Sequence, residues 1–221
     1  MPRRGRRPCI AAGQTQEPES PIEPFAAPIT AVVSVTILLM DFVKALDSLL
    51  TSFEDKGVRH ALIGGVALGA LGVPRATMDL DFLVHRDDLS RLHEIMTMLG
   101  YERAFHSTDV SQYRHKDAAW GAVDFLHAYR SISVAMLNRA LSLSDKGSRT
   151  MRVLQPEDVI GLKVQAMAND PHRKDKEMAD IKTLMGRYRA RLDWSRLIEF
   201  FELFGFHNEI AALKKEFDHA Q

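Results

Sequence analysis

The chain has 221 residues, 46% hydrophobic and 26% charged, with 29 Lys plus Arg against 29 Asp plus Glu. That length holds one sizeable core or a core with an appendage, and the zero net charge excludes a global field drawing in nucleic acid. Its single cysteine, Cys9, excludes a disulfide framework and a cysteine-based metal site, and fits a reducing cytoplasm.

Residues 1–28 carry Arg3, Arg4, Arg6 and Arg7, then mostly Pro, Ala, Glu and Gln, too little to bury. The basic start ahead of the apolar run 31–40 has the outline of a secretory signal. Glu17, Glu19 and Glu23 intervene, however, Pro24 and Pro28 interrupt, and no small-residue cleavage site precedes Asp41. The run is also short and dotted with Thr and Ser, so no membrane span is expected. Residues 1–39 therefore read as a disordered leader, or as sequence upstream of a true start at Met40.

Asp41–Lys56 spaces Ala45, Leu46, Leu49, Leu50 and Phe53 at helical intervals, with Gly57 as its cap. Val58–Ile63 reads as the first strand, and Gly64-Gly65 leads into a short helix over Val66–Leu71. A Gly-Gly turn lets backbone N–H groups approach a polyphosphate, with the following helix aimed at the anion. The second strand, Leu80–Val84, follows Asp79 and includes Asp81. Strand alternation places these two carboxylates on one face and Leu80 and Phe82 on the other. Such a pair repels itself unless a cation lies between, and hard oxygen ligands suit Mg2+ or Mn2+.

Arg86–Leu99 predicts a helix closed by Gly100, followed by strands over Tyr101–Ser107 and Val110–His115. Ala119–Ala128 contains the apolar strand Val123-Asp124-Phe125-Leu126, where an unpaired Asp124 would be costly without a cation partner. A helix over Ile132–Leu141 and a strand over Arg149–Leu154 precede a helix over Pro156–Ala168, which has Pro first and Glu157 and Asp158 in its first turn. Lys163 lies in its apolar stripe, where a lysine either snorkels to solvent or serves the site. Asn169–Lys176 is a cationic connector with Arg173, Lys174 and Lys176, whose charges would either sit in solvent or face an anion. Helices from Glu177 to Tyr188, from Asp193 to Phe204 and from Asn208 complete the chain. No two of the nine histidines stand four apart, which excludes a helical zinc-hydrolase motif, and neither a nucleophile elbow nor a P-loop is present.

Gly64-Gly65 followed by Arg75-x-Thr77-x-Asp79-x-Asp81 resembles the signature of the nucleotidyltransferase superfamily, the polymerase-beta-like fold. Together with Leu154–Lys163 it is similar to the AbiEii-type branch, known from toxin–antitoxin and phage-defence systems. The resemblance covers about residues 58–185. It implies an α+β nucleotidyltransferase core with a small mixed sheet over 40–154, and a C-terminal helical region over 155–221. It implies metal binding by Asp79, Asp81 and Asp124, with Asp124 also accepting the proton of an attacking hydroxyl. It assigns Gly64, Gly65, Arg75, Thr77, Lys163, Lys176 and Asp180 to the nucleotide. Arg75 either contacts phosphate or neutralises the Asp pair. Lys176, Glu177 and Asp180 resemble a further family motif, a basic residue and Asp, two spacers, then Asp, whose first acid here is either Glu177 or Asp175. The implied activity moves an NMP from an NTP to a hydroxyl of RNA or protein, with an antitoxin as a further partner. A small antibiotic acceptor and a non-catalytic, nucleotide- or partner-binding role are the alternatives.

Overall fold

A computed structural model gives the fold, and it describes residues 42–77, 79–144 and 150–218. The expected leader over 1–39 and the alternative start at Met40 lie outside the described residues. The described strands form one mixed sheet: β1 (His60–Leu62), β2 (Asp79–His85), β3 (Tyr101–His106), β4 (Val110–His115), β5 (Ala122–Ala128), β6 (Leu141–Ser144) and β7 (Thr150–Val153). Their order is β3-β4-β5-β2-β1-β7-β6, parallel at β2/β5 and β1/β7 and antiparallel elsewhere. The helices are α1 (Phe42–Asp55), α2 (Gly64–Ala70), α3 (Leu89–Met98), α4 (Ser131–Asn138), α5 (Pro156–Asn169), α6 (Lys174–Tyr188), α7 (Trp194–Leu203) and α8 (His207–Asp218). The α+β class with a mixed sheet is as the sequence implies.

The β2/β5 register positions the site. It sets Leu80 opposite Val123, Asp81 opposite Asp124 and Phe82 opposite Phe125. Because neighbouring residues face opposite sides of a sheet, one face receives the apolar pairs and the other receives the carboxylates. On the apolar face Phe82 and Phe125 stack with centroids 5.6 Å apart. Phe53 of α1 meets Phe82 edge-on at 5.4 Å, and Tyr113 meets Phe125 edge-on at 5.7 Å. Each such buried side chain contributes about 1.5–3 kcal/mol, which locks this register against a one-residue slip.

Three elements depart from the sequence reading. The helix expected over Arg86–Leu99 starts as a 3-10 turn, Arg86–Asp88, before α3. Asp88 is fully buried there and accepts from the Arg59 backbone N–H and guanidinium and from Arg91. Burial pushes its carboxyl up, but those donors outweigh it and hold the group at about 2. Secondly, the helix expected over Ile132–Leu141 ends at Asn138, and Leu141–Ser144 becomes edge strand β6. Four residues with half-buried Leu141 and Leu143 are too few to show a period. Thirdly, the cationic connector is largely helical. The Asp170 carboxylate accepts from the His172 N–H, Pro171 follows it, and α6 begins at Lys174. None of the described helices is long and apolar enough to cross a membrane.

Candidate active site

The turn from β1 into α2 is pressed against β2. Gly64 has φ +63°, in the left-handed region that glycine tolerates, and a Cβ there would stand 2.1 Å from Asp81 Oδ2. The Ile63 N–H donates to the Asp81 carbonyl at 3.0 Å, fixing the two segments side by side. At Gly65 a Cβ would come within 2.6 Å of Thr77 Cβ, and the Thr77 hydroxyl donates to the Asp79 carbonyl at 3.1 Å. Gly65→Ala should therefore displace Thr77 and cost about 1–3 kcal/mol, read as a lowered melting temperature.

Asp81 and Asp124 face each other across β2 and β5, with Asp79 exposed on the same side of β2. Burial pushes the Asp81 carboxyl up, the neighbouring charges of Asp124 and Asp79 push it further, and Arg173 and Lys163 offset part of this, leaving it at about 7. Burial with two like charges beside it makes Asp81 a candidate functional carboxyl. Asp124 accepts from the Gln112 amide at 2.9 Å and from Arg114 Nη1 at 3.3 Å.

Cations approach from the helices. Lys163 of α5 donates to Glu177 Oε2 at 2.7 Å and to Asp180 Oδ2 at 2.6 Å, both on α6. Arg75 pairs with Asp180, and Arg173 Nε donates to Glu177 Oε1 at 3.0 Å. The result is one chain, Arg75–Asp180–Lys163–Glu177–Arg173. Burial pushes the Glu177 carboxyl up, but Lys163 and Arg173 outweigh it and bring it below the usual glutamate range. Since Lys163 and Arg173 also act on Asp81, this chain lies within electrostatic reach of the carboxylate cluster.

The donor chemistry fits Mg2+ or Mn2+: the ligands are hard carboxylate oxygens whose mutual repulsion a divalent cation would relieve. Among the described residues no three acidic, His or Cys side chains form a ready-made metal cage. That accords with Mg2+, which is held by one or two carboxylates together with substrate phosphates rather than by an all-protein shell. Among the described residues Asp79 and Asp81 make no ion pair, whereas both Asp124 oxygens are engaged by Gln112 and Arg114.

The family model described as "Uncharacterised nucleotidyltransferase" matches residues 39–212, well over half of the chain. The chain belongs to this nucleotidyltransferase family. Two solved structures share the fold. A crystal structure of ANT(2'')-Ia in complex with adenylyl-2''-tobramycin superposes with a TM-score of 0.57 at 15% identity, covering 80% of this chain and 99% of that one. A solution structure of the antibiotic-resistance factor ANT(2'')-Ia gives 0.56 at 17% identity, covering 80% of this chain and 97% of that one. The lincomycin-bound lincosamide adenylyltransferase LnuA gives 0.47 at 17% identity, covering 64% of this chain and 94% of that one. None of the curated proteins matches the sequence.

In this nucleotidyltransferase, Gly64, Gly65, Thr77, Asp79, Asp81 and Asp124 gather where β1, β2 and β5 adjoin. Arg75, Lys163 and Asp180 join the neighbouring ion-pair chain, so Arg75 partners an α6 acid. Lys176 is exposed on α6 and makes none of the ion pairs of that chain. Of the two candidate acids, Glu177 is buried in the ion-pair chain and Asp175 is exposed. Sequence reading missed Gln112 and Arg114. Their only signal was alternation along β4, which the β4/β5 register turns into contact by setting Gln112 opposite Asp124.

Proposed function

We propose that this nucleotidyltransferase moves an NMP from an NTP to an acceptor hydroxyl in a metal-dependent reaction. The observation that carries the reading is Asp81 facing Asp124 in register beside the Gly64 turn, with Asp79 on the same strand face. Bound Mg2+ or Mn2+ would supply charge neutralisation on the triphosphate. Asp79 and Asp81 are the residues that would hold it, and the missing Cβ atoms of Gly64 and Gly65 let Asp81 and Thr77 close against the turn that would seat the phosphates. Asp124, oriented by Gln112 and Arg114, takes the proton from the acceptor hydroxyl. The hydroxyl oxygen bonds to the α-phosphorus as the α–β anhydride bond breaks and pyrophosphate leaves. Lys163, Arg173 and Arg75, held by Glu177 and Asp180, counter the charge developing on that leaving group. On this division residues 40–154 form the catalytic core, and the helical region 155–221 brings the cations to it.

The resemblance in the Gly64–Asp81 and Leu154–Lys163 motifs supports the AbiEii-type branch. With it come an RNA end or a protein hydroxyl as acceptor, an antitoxin partner and action in the cytoplasm. A small-molecule acceptor is the second reading, favoured by the fold shared with ANT(2'')-Ia over nearly that protein's whole length. The deciding experiment incubates the protein and Mg2+ with α-labelled NTPs and, in parallel, cell RNA, cell protein or an aminoglycoside. Label in RNA or protein supports the first reading, and label in the aminoglycoside the second. Absence of label in all three would leave a nucleotide-binding protein without turnover.

A further inference from the structure

We infer that the groove between α3 and the β3/β4 hairpin is a binding site for a small phosphate-class anion, separate from the carboxylate cluster. The cavity measures about 210 Å³ and is lined by Ser90, His93, Arg103, His106, Ser111 and Tyr113, with Leu89. The strand register puts it on the side of the sheet away from the carboxylates. Tyr113 stands opposite Val123 and Ser111 opposite Phe125, whereas Gln112 stands opposite Asp124 on the other face.

Its lining contains no acid. Arg103 makes no carboxylate ion pair among the described residues. It stands opposite Tyr113 in the strand register, where its charge offsets part of the burial that pushes the Tyr113 phenol up, and Tyr113 is itself 2% exposed. The Tyr113 hydroxyl and His93 Nδ1 are in hydrogen-bond contact at 3.2 Å, so Nε2 is the other nitrogen of that ring.

Below this chain, His127 Nδ1 donates to the Thr108 carbonyl at 3.0 Å and its Nε2 accepts from the Ser111 hydroxyl at 3.0 Å, so that floor is already satisfied. The Arg103 guanidinium, His93 Nε2, the His106 ring and the Ser90 hydroxyl line the groove, and none of them has an acidic partner among the described residues. A cation with several neutral donors and no competing carboxylate selects an anion, and a phosphate accepts from all of them at once. The volume accommodates inorganic phosphate or pyrophosphate and is too small for a whole nucleotide, since larger ligands occupy about 300–1,000 Å³.

The test titrates the full-length protein, without divalent metal, with inorganic phosphate, pyrophosphate and a 5′-phosphorylated hexanucleotide, following the imidazole NMR resonances of His93 and His106. Saturable shifts with phosphate or pyrophosphate are expected, weakening as ionic strength rises. Arg103→Met should reduce the affinity about tenfold or more, Arg103→Lys should reduce it less, and Asp81→Asn should leave it unchanged. No saturable shift, a shift indifferent to Arg103→Met, or a response to the hexanucleotide alone would overturn the assignment.

Discussion

Asp81→Asn is expected to reduce nucleotidyl transfer by about 1,000-fold, the scale lost with a group that stabilises the transition state. The same change should stabilise the metal-free protein. The folded Asp81 carboxyl sits at about 7 against 3.8 for the unexposed-to-neighbours reference value. Between those values the native state keeps a proton that the unfolded chain has released, so stability falls as pH rises through the window. The full difference amounts to at most about 4 kcal/mol above pH 7. An amide carries no such charge, so the variant should melt several degrees higher at pH 8, at about 2–4 °C per kcal/mol, and match the parent near pH 4. Adding Mg2+ should narrow the gap by stabilising only the parent. Transfer at the parental rate, or a melting difference that ignores pH, would remove Asp81 from the centre of the site.

Lys163→Met should be among the most destabilising single changes in the helical region. Lys163 bridges Glu177 and Asp180, whose side chains are only 2% and 14% exposed. Without the ammonium, Glu177 keeps only Arg173 and Asp180 only Arg75, so two buried charge-assisted hydrogen bonds are lost, at a cost of about 3–5 kcal/mol. For a chain of this size that is a drop of about 10 °C in melting temperature. Adding Glu177→Gln should cost less in this background than it does in the parent, because the bond from Lys163 to Glu177 is already gone. Additive losses in the double variant would show that Lys163 and Glu177 do not act as a pair. Parental stability in Lys163→Met would dissolve the hub.

Much of the site was readable from local pattern because its parts are local. Alternation alone aims Asp79 and Asp81 to one side of a strand. A glycine at 64 is legible because the backbone there needs a positive φ and has no room for a Cβ beside Asp81. Residues 169–176 were less legible. Their charge looks like a solvated loop, whereas the Asp170 carboxylate and Pro171 start a helix whose buried Glu177 faces Lys163.

By itself, then, the sequence determined the turn, the carboxylate strand, the apolar faces and the class of chemistry these imply. Each of those follows from backbone sterics or side-chain period over a few residues. Only the tertiary structure decided that Asp124 meets Asp81, that Gln112 and Arg114 hold it, and that Arg75 pairs with Asp180, 105 residues away. Those contacts depend on strand register and on how two helices close over the sheet. Both are fixed by the summed packing of the core, not by any stretch of chain that carries the charges.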